Sequence, residues 1–152
     1  MGRQGLTLRV AGLAALPAPA RKPRLFETAV RKTFARERAR AKGEVSVVIT
    51  TRTKMRALNL EFLGRDDDTD VISFAHDPVP GLPAAEQALG DIYISSWMAA
   101  RQAKELGHGV LREILTLVVH GALHILGYHD AAPRDRARMF RRQDEIMASL
   151  PR

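Results

Sequence analysis

An α+β fold is predicted by three features of this sequence. A chain of 152 residues with 45% hydrophobic content is long enough for one well-buried core and too short for two ordinary domains, so residues 1–152 read as a single domain. Short β-branched runs are interspersed with longer amphipathic segments. The segment from about Leu111 to Leu126 is apolar nearly all round, through Ile114, Leu115, Leu117, Val118, Val119, Ala122, Leu123, Ile125 and Leu126. Such a helix belongs in the centre of a domain, behind the sheet.

Each element has a local signature. A strand is expected near Leu6 to Val10, followed by an Ala/Pro linker to Pro23 and an amphipathic helix that ends before Gly43. Glu44 to Thr50 is the clearest strand, because Val45, Val47, Val48 and Ile49 supply branched side chains that suit a pleated surface. A helix follows from about Lys54 to Leu63 and stops at Gly64. Val71 to Phe74 and Asp91 to Ile94 read as short strands, separated by a loop with Pro78, Pro80, Gly81 and Pro83. Ser95 or Ser96 can cap the helix that ends at Gly107. After the apolar helix, a last helix runs from about Pro133 to Ser149.

The apolar helix carries His120-Gly-Ala-Leu-His124-Ile-Leu-Gly127-Tyr-His129-Asp130. Residues four apart project from the same helical face, so His120 and His124 can offer two imidazole nitrogens to one ion. A buried histidine needs a partner, since an unpaired polar group away from water costs roughly 1–3 kcal/mol. Gly127 lets the chain turn back, and either His129 or Asp130 could then be the third ligand, leaving a fourth position open for water. Two core histidines bonded to backbone carbonyls are the alternative. The spacing His120, His124, Gly127, Asp130 follows the H-x-x-x-H-x-x-G-x-x-H frame of metzincin peptidases, with aspartate at the last place. Those peptidases carry a general-base glutamate directly after the first histidine, where this chain has Gly121.

Together these segments resemble the YbeY family of endoribonucleases, whose hallmark is H-G-x-L-H-x-x-G-Y-D-H. Leu58-Asn59 with Gly64, the run Thr69-Asp70-Val71-Ile72-Ser73-Phe74, Leu89-Gly90-Asp91-Ile92, and Glu113 with Val119, His120 and Gly121 are similar to further blocks of that family, in the same order. The likeness covers nearly the whole chain and is weakest before Gly43. It implies a single zincin-like (metzincin-like) domain, a small mixed sheet packed with helices around the buried metal-binding helix. Periodicity alone does not reach that far. It also implies one zinc ion per chain and a single-strand-specific endoribonuclease of 16S rRNA 3′-end maturation and late ribosome quality control. The partners implied are rRNA, the small ribosomal subunit and ribosome-associated proteins.

Two positions depart from the family pattern. The family ends its motif Tyr-Asp-His and this chain reads Tyr128-His129-Asp130, so Asp130 occupies the place of the third histidine. Asp130 keeps the register as a ligand, and His129 is its rival. Leu63 stands where the family carries an arginine thought to act on the RNA phosphate; Arg65, two residues on, is the nearest substitute and the candidate catalytic cation. Leu63 also motivates the alternative of a non-catalytic RNA-binding ribosome-assembly factor that retains the fold. A zinc peptidase is the third reading, and Gly121 opposes it. Nickel suits the same donors as zinc.

Composition bounds the partners. The formal net charge of +7 favours polyanions. Basic residues gather at Arg21, Lys22 and Arg24, at Arg31, Lys32, Arg36, Arg38, Arg40 and Lys42, and at Arg134, Arg136, Arg138, Arg141 and Arg142, with both longer groups on expected helices. Interspersed with Glu27, Glu37, Asp135 and Asp144, each group also reads as a solvated helix face; their sum supports sequence-nonspecific contact with an RNA backbone. Five Phe, two Tyr and one Trp oppose an extensive base-stacking platform. No apolar run reaches membrane-spanning length, Arg9, Pro17 and Pro19 interrupt any signal-peptide core, and cysteine is absent, so a cytoplasmic location is expected.

Asp70, Asp91 and Glu113 have two readings each. Asp70 and Asp91 can accept backbone N–H bonds at strand ends, or support a ligating histidine from behind. Glu113 lies seven residues before His120 on the same face and could support the site, or it could simply favour the helix N-terminus. His76 and His108 are expected to be exposed in loops, and Asp66-Asp67-Asp68 to face solvent and repel RNA locally.

Overall fold

Alternation in the sequence becomes a four-stranded mixed sheet in the computed structural model, which describes residues 5–39 and 41–151. Arg40 of the second basic group lies outside them. The strands are β1 (Leu6–Ala11), β2 (Gly43–Thr50), β3 (Val71–Ala75) and β4 (Ala88–Ser95), in the spatial order β1-β2-β4-β3. β1, β2 and β4 are parallel, and β3 closes one edge antiparallel to β4. Among the described residues five α-helices accompany them: α1 (Pro23–Arg36), α2 (Arg52–Leu63), α3 (Ser96–Leu106), α4 (Val110–Ile125) and α5 (Pro133–Ala148). The architecture is thus mixed α+β with a small sheet, as expected.

The period of two in β2 puts Val45, Val47 and Ile49 on one buried face, opposite Ile92 and Ile94 of β4. That face joins Phe26, Val30 and Phe34 of α1, Ile114, Val118 and Leu123 of α4, and Met139 and Ile146 of α5 in one hydrophobic cluster. α4 lies against the sheet so closely that its glycine is required. A Cβ at Gly121 would meet Ile92 Cγ2 at 2.6 Å and Ser73 Oγ at 2.8 Å. Among the described residues no single helix is long and apolar enough to cross a membrane.

Several boundaries differ from expectation, each for a local reason. α2 begins two residues early because the Thr51 hydroxyl accepts the Lys54 N–H as its N-cap. β4 begins at Ala88 and runs through Gly90, which reads locally as a breaker. Gly90 lies where a Cβ would be 2.6 Å from the Phe74 carbonyl and 2.7 Å from Ile125, so close approach selects glycine there. The Ala/Pro linker is two 3-10 turns, Leu13–Ala15 and Ala18–Ala20, around buried Leu16 and Ala20. Of the two capping serines, Ser95 does the work, accepting from Met98 N–H.

Candidate metal centre

One turn of α4 separates His120 from His124, and their Nε2 atoms come within 3.1 Å. Each Nδ1 is engaged elsewhere. His120 Nδ1 meets Gln143 Oε1 of α5 at 2.8 Å, and His124 Nδ1 meets the Tyr128 carbonyl at 2.9 Å. Carbonyl oxygens only accept, so both Nδ1 atoms hold the ring proton and both Nε2 lone pairs point at one place. Two such lone pairs at this separation repel each other unless a cation lies between them.

Asp130 completes the triangle, its Oδ2 lying 3.4 Å from each Nε2. Tetrahedral ligands at roughly 2.0–2.1 Å from a zinc ion lie about 3.3–3.4 Å from one another. The three donors therefore fit a metal ion both in spacing and in chemistry. The local chain path explains how Asp130 arrives. After α4, Gly127 takes φ 101°, its N–H bonds to the His124 carbonyl, and the Tyr128 N–H bonds to the Leu123 carbonyl. This left-handed turn reverses the chain before Pro133 opens α5. The Tyr128 hydroxyl then donates to Glu37 Oε1 at 2.6 Å, and Arg142 Nε donates to Glu37 Oε2 at 2.8 Å, which pins the turn to the end of α1 and to α5.

Electrostatics favour the neutral form of His124. Burial, then the neighbouring His120, push the His124 imidazole below its usual range, while Asp130 acts in the opposite sense. A neutral imidazole is the form that binds a metal. Burial, followed by Glu37, raises the Tyr128 phenol above its usual value, so it stays a donor.

Other expected site residues are placed elsewhere. His129 is exposed and lines a shallow cleft with Gly127, Tyr128 and Arg138, apart from the histidine pair, so the rival arrangement is not the one adopted. None of Asp70, Asp91 and Glu113 hydrogen-bonds to His120 or His124, which corrects the idea that they back the pair. Asp70 accepts from Val71 N–H and Gln102 Nε2 at the start of β3, and Asp91 pairs with His76 at 2.8 Å. Glu113 is buried and meets His108 Nε2 at 2.8 Å, so His108 is partly buried rather than exposed. Glu113, His108 and His120 nevertheless line a common cleft of about 950 Å³ between α4 and α5.

Arg65 has a side chain 71% exposed and lies 3.9 Å from Asp67. The acidic run does not simply face water: Asp68 pairs with Arg52 at 2.8 Å, which holds its carboxyl below the usual range, and Asp67 accepts from Asn59. The second basic group is also partly engaged within the fold. Arg31 donates to the Leu6 carbonyl, Lys32 to the Ser149 carbonyl, and Arg36 pairs with Glu145. Arg134, Arg136, Arg138 and Arg141 remain exposed on α5.

Gln143 and Phe140, the latter with its ring 5.8 Å from His120, are site residues that sequence reasoning missed. A signal existed for the first. Met139, Gln143 and Ile146 form the buried stripe of α5, and a glutamine within an apolar stripe asks for a buried polar partner.

Comparison with known proteins gives a consistent result. A family model described as Endoribonuclease YbeY matches residues 18–151. An Endoribonuclease YbeY of Chloroflexus aurantiacus is 42% identical over 131 residues, covering 83% of this chain and 85% of the relative. One from Desulforamulus reducens is 38% identical over 130 residues, covering 84% and 85%. The solution structure of a Thermotoga maritima protein shares the fold, with a TM-score of 0.58 at 24% identity over 93% of this chain and 87% of that one.

Proposed function

The chain belongs to the YbeY family of endoribonucleases, and from that premise we propose that it cuts single-stranded RNA at a zinc centre held by His120, His124 and Asp130. RNA as substrate follows from the family. The observation that carries the metal assignment is the triangle of Nε2, Nε2 and Oδ2 atoms, with both imidazoles turned into it by partners that accept only from Nδ1. Bound there, zinc supplies Lewis acidity at the phosphodiester. Asp130 lowers the net charge of the site relative to three imidazoles, while Gln143 and the Tyr128 carbonyl hold the rings in register. The helix-borne histidine pair behind a mixed sheet supports reading the fold as zincin-like and residues 1–152 as one domain.

The finer biological reading is 16S rRNA 3′-end maturation and late ribosome quality control in the cytoplasm, on the small ribosomal subunit. Its support is the family relationship and the exposed arginines of α5. One observation favours a non-catalytic assembly factor instead: the end of α2 presents an exposed, apolar Leu63 and an Arg65 beside the Asp67 carboxylate. A peptidase has no support, since Gly121 is pressed against β3 and β4 and has no room for a glutamate.

Elemental analysis of protein purified without added metal or chelator tests the proposal. About one zinc per chain, lost in His120→Ala, is expected, together with metal-dependent cleavage of an unstructured RNA. Folded wild-type protein that takes up no divalent metal would refute the centre. Zinc without cleavage would favour the assembly factor.

A further inference from the structure

Hydrolysis of a phosphodiester joins a water oxygen to phosphorus and breaks one P–O bond to ribose. One proton of the water goes to the departing ribose oxygen and the other to solvent. Negative charge builds on the phosphoryl oxygens as this happens, and a guanidinium can stabilise it without gaining or losing a proton. The cation nominated by sequence, Arg65, is badly placed for this because Asp67 lies beside it.

The α5 helix offers another. Residues 136, 140 and 143 recur at helical spacing and share one face. Gln143 holds His120, the Phe140 ring packs 5.8 Å from the His120 ring, and the Arg136 guanidinium carbon lies 5.6 Å from the Phe140 centroid. Arg136 sits in the first turn of α5, directly after the turn that delivers Asp130, and among the described residues it forms no ion pair. Its exposed side chain thus lies against the aromatic ring that packs beside His120, while its charge stays uncompensated. Arg138, on a different face, lies over Tyr128, whose hydroxyl is bonded to Glu37.

We propose that Arg136, carried on Phe140, is the residue that binds the phosphate being cleaved beside His120, His124 and Asp130. This inference rests on the endoribonuclease reading. It gives the chain a phosphate-binding cation from α5 where Leu63 leaves none at the end of α2.

The test uses the full zinc-loaded chain, an unstructured oligoribonucleotide as substrate, and its phosphorothioate counterpart as a slowly cut binding probe. Arg136→Gln is expected to slow cleavage by roughly 10²–10³-fold, the usual effect of losing one donor to a developing charge, with zinc content unchanged. Arg136→Lys should recover part of the rate, and Lys104→Gln, which removes an exposed charge on α3 outside the basic groups, should stay within about threefold of wild type. Cleavage by Arg136→Gln within threefold of wild type, while His120→Ala is inactive, would overturn the inference. If wild type itself does not cut, the nuclease reading fails and probe binding decides the inference separately. A weaker affinity and a salt slope reduced by about 1 in Arg136→Gln would keep Arg136 as a phosphate contact, and an unchanged slope would remove it.

Discussion

Replacing Gln143 by leucine isolates what α5 contributes to the metal centre. The side chain is 5% exposed and its amide oxygen accepts the His120 Nδ1–H at 2.8 Å. Leucine keeps nearly the same volume, so packing around Met139 and Ile146 should survive, while the imidazole N–H loses its acceptor. Leaving that donor unsatisfied costs about 1–3 kcal/mol. For a domain of this size, about 3 °C of Tm per kcal/mol predicts a fall of roughly 3–9 °C in metal-free protein. Without the acceptor the ring can rotate or carry its proton on Nε2, and loss of such a partner weakens metal binding about 10–100-fold, or roughly 1.4–2.8 kcal/mol. Competition against a chromophoric zinc chelator at pH 7.5 measures the affinity, and thermal unfolding measures the stability. Gln143→Glu retains an acceptor in the same place and should bind zinc at least as tightly as wild type. Zinc affinity within twofold of wild type, whatever the change in Tm, would show that Gln143 does not hold His120 for the metal, and the reasoning would fail.

Two further outcomes follow from the same geometry. Gly121→Ala places a methyl group 2.6 Å from Ile92 Cγ2 and 2.8 Å from the buried, unpartnered Ser73 hydroxyl, so overpacking should cost about 1–3 kcal/mol in urea unfolding; equal stability would mean that α4 can move off the sheet. The fold favours the neutral form of His124, with a lowered pKa, so its contribution to stability is complete above the unfolded value of 6.5 and is lost as pH falls through the folded value. Metal-free protein should therefore lose stability below pH 6.5, with a slope of at most about 1.4 kcal/mol per pH unit from this one proton. His124→Gln should flatten that slope, and an unaltered slope would assign the acid sensitivity to other groups.

The histidine pair, the central strand and the five helices were legible in the sequence because each is a local pattern. A four-residue spacing puts His120 and His124 on one face, and branched side chains in β2 favour a pleated surface whatever surrounds them. What the sequence left open depended on residues distant in the chain. That Asp130 rather than His129 lies beside the histidine pair depends on the left-handed Gly127 turn and on its anchoring through Tyr128 to Glu37, 91 residues away. Gln143 reaches His120 across 23 residues because α5 packs beside α4, a pairing with no period of its own in the sequence. Glu113 and Asp91 meet His108 and His76 and not the His120–His124 pair, since a carboxylate takes the partner that the fold brings within its reach. Gly90 and Gly121 carry the same lesson: either one reads locally as a break or an absence, and only the close approach of α4 to the sheet gives a physical reason for a residue without a Cβ.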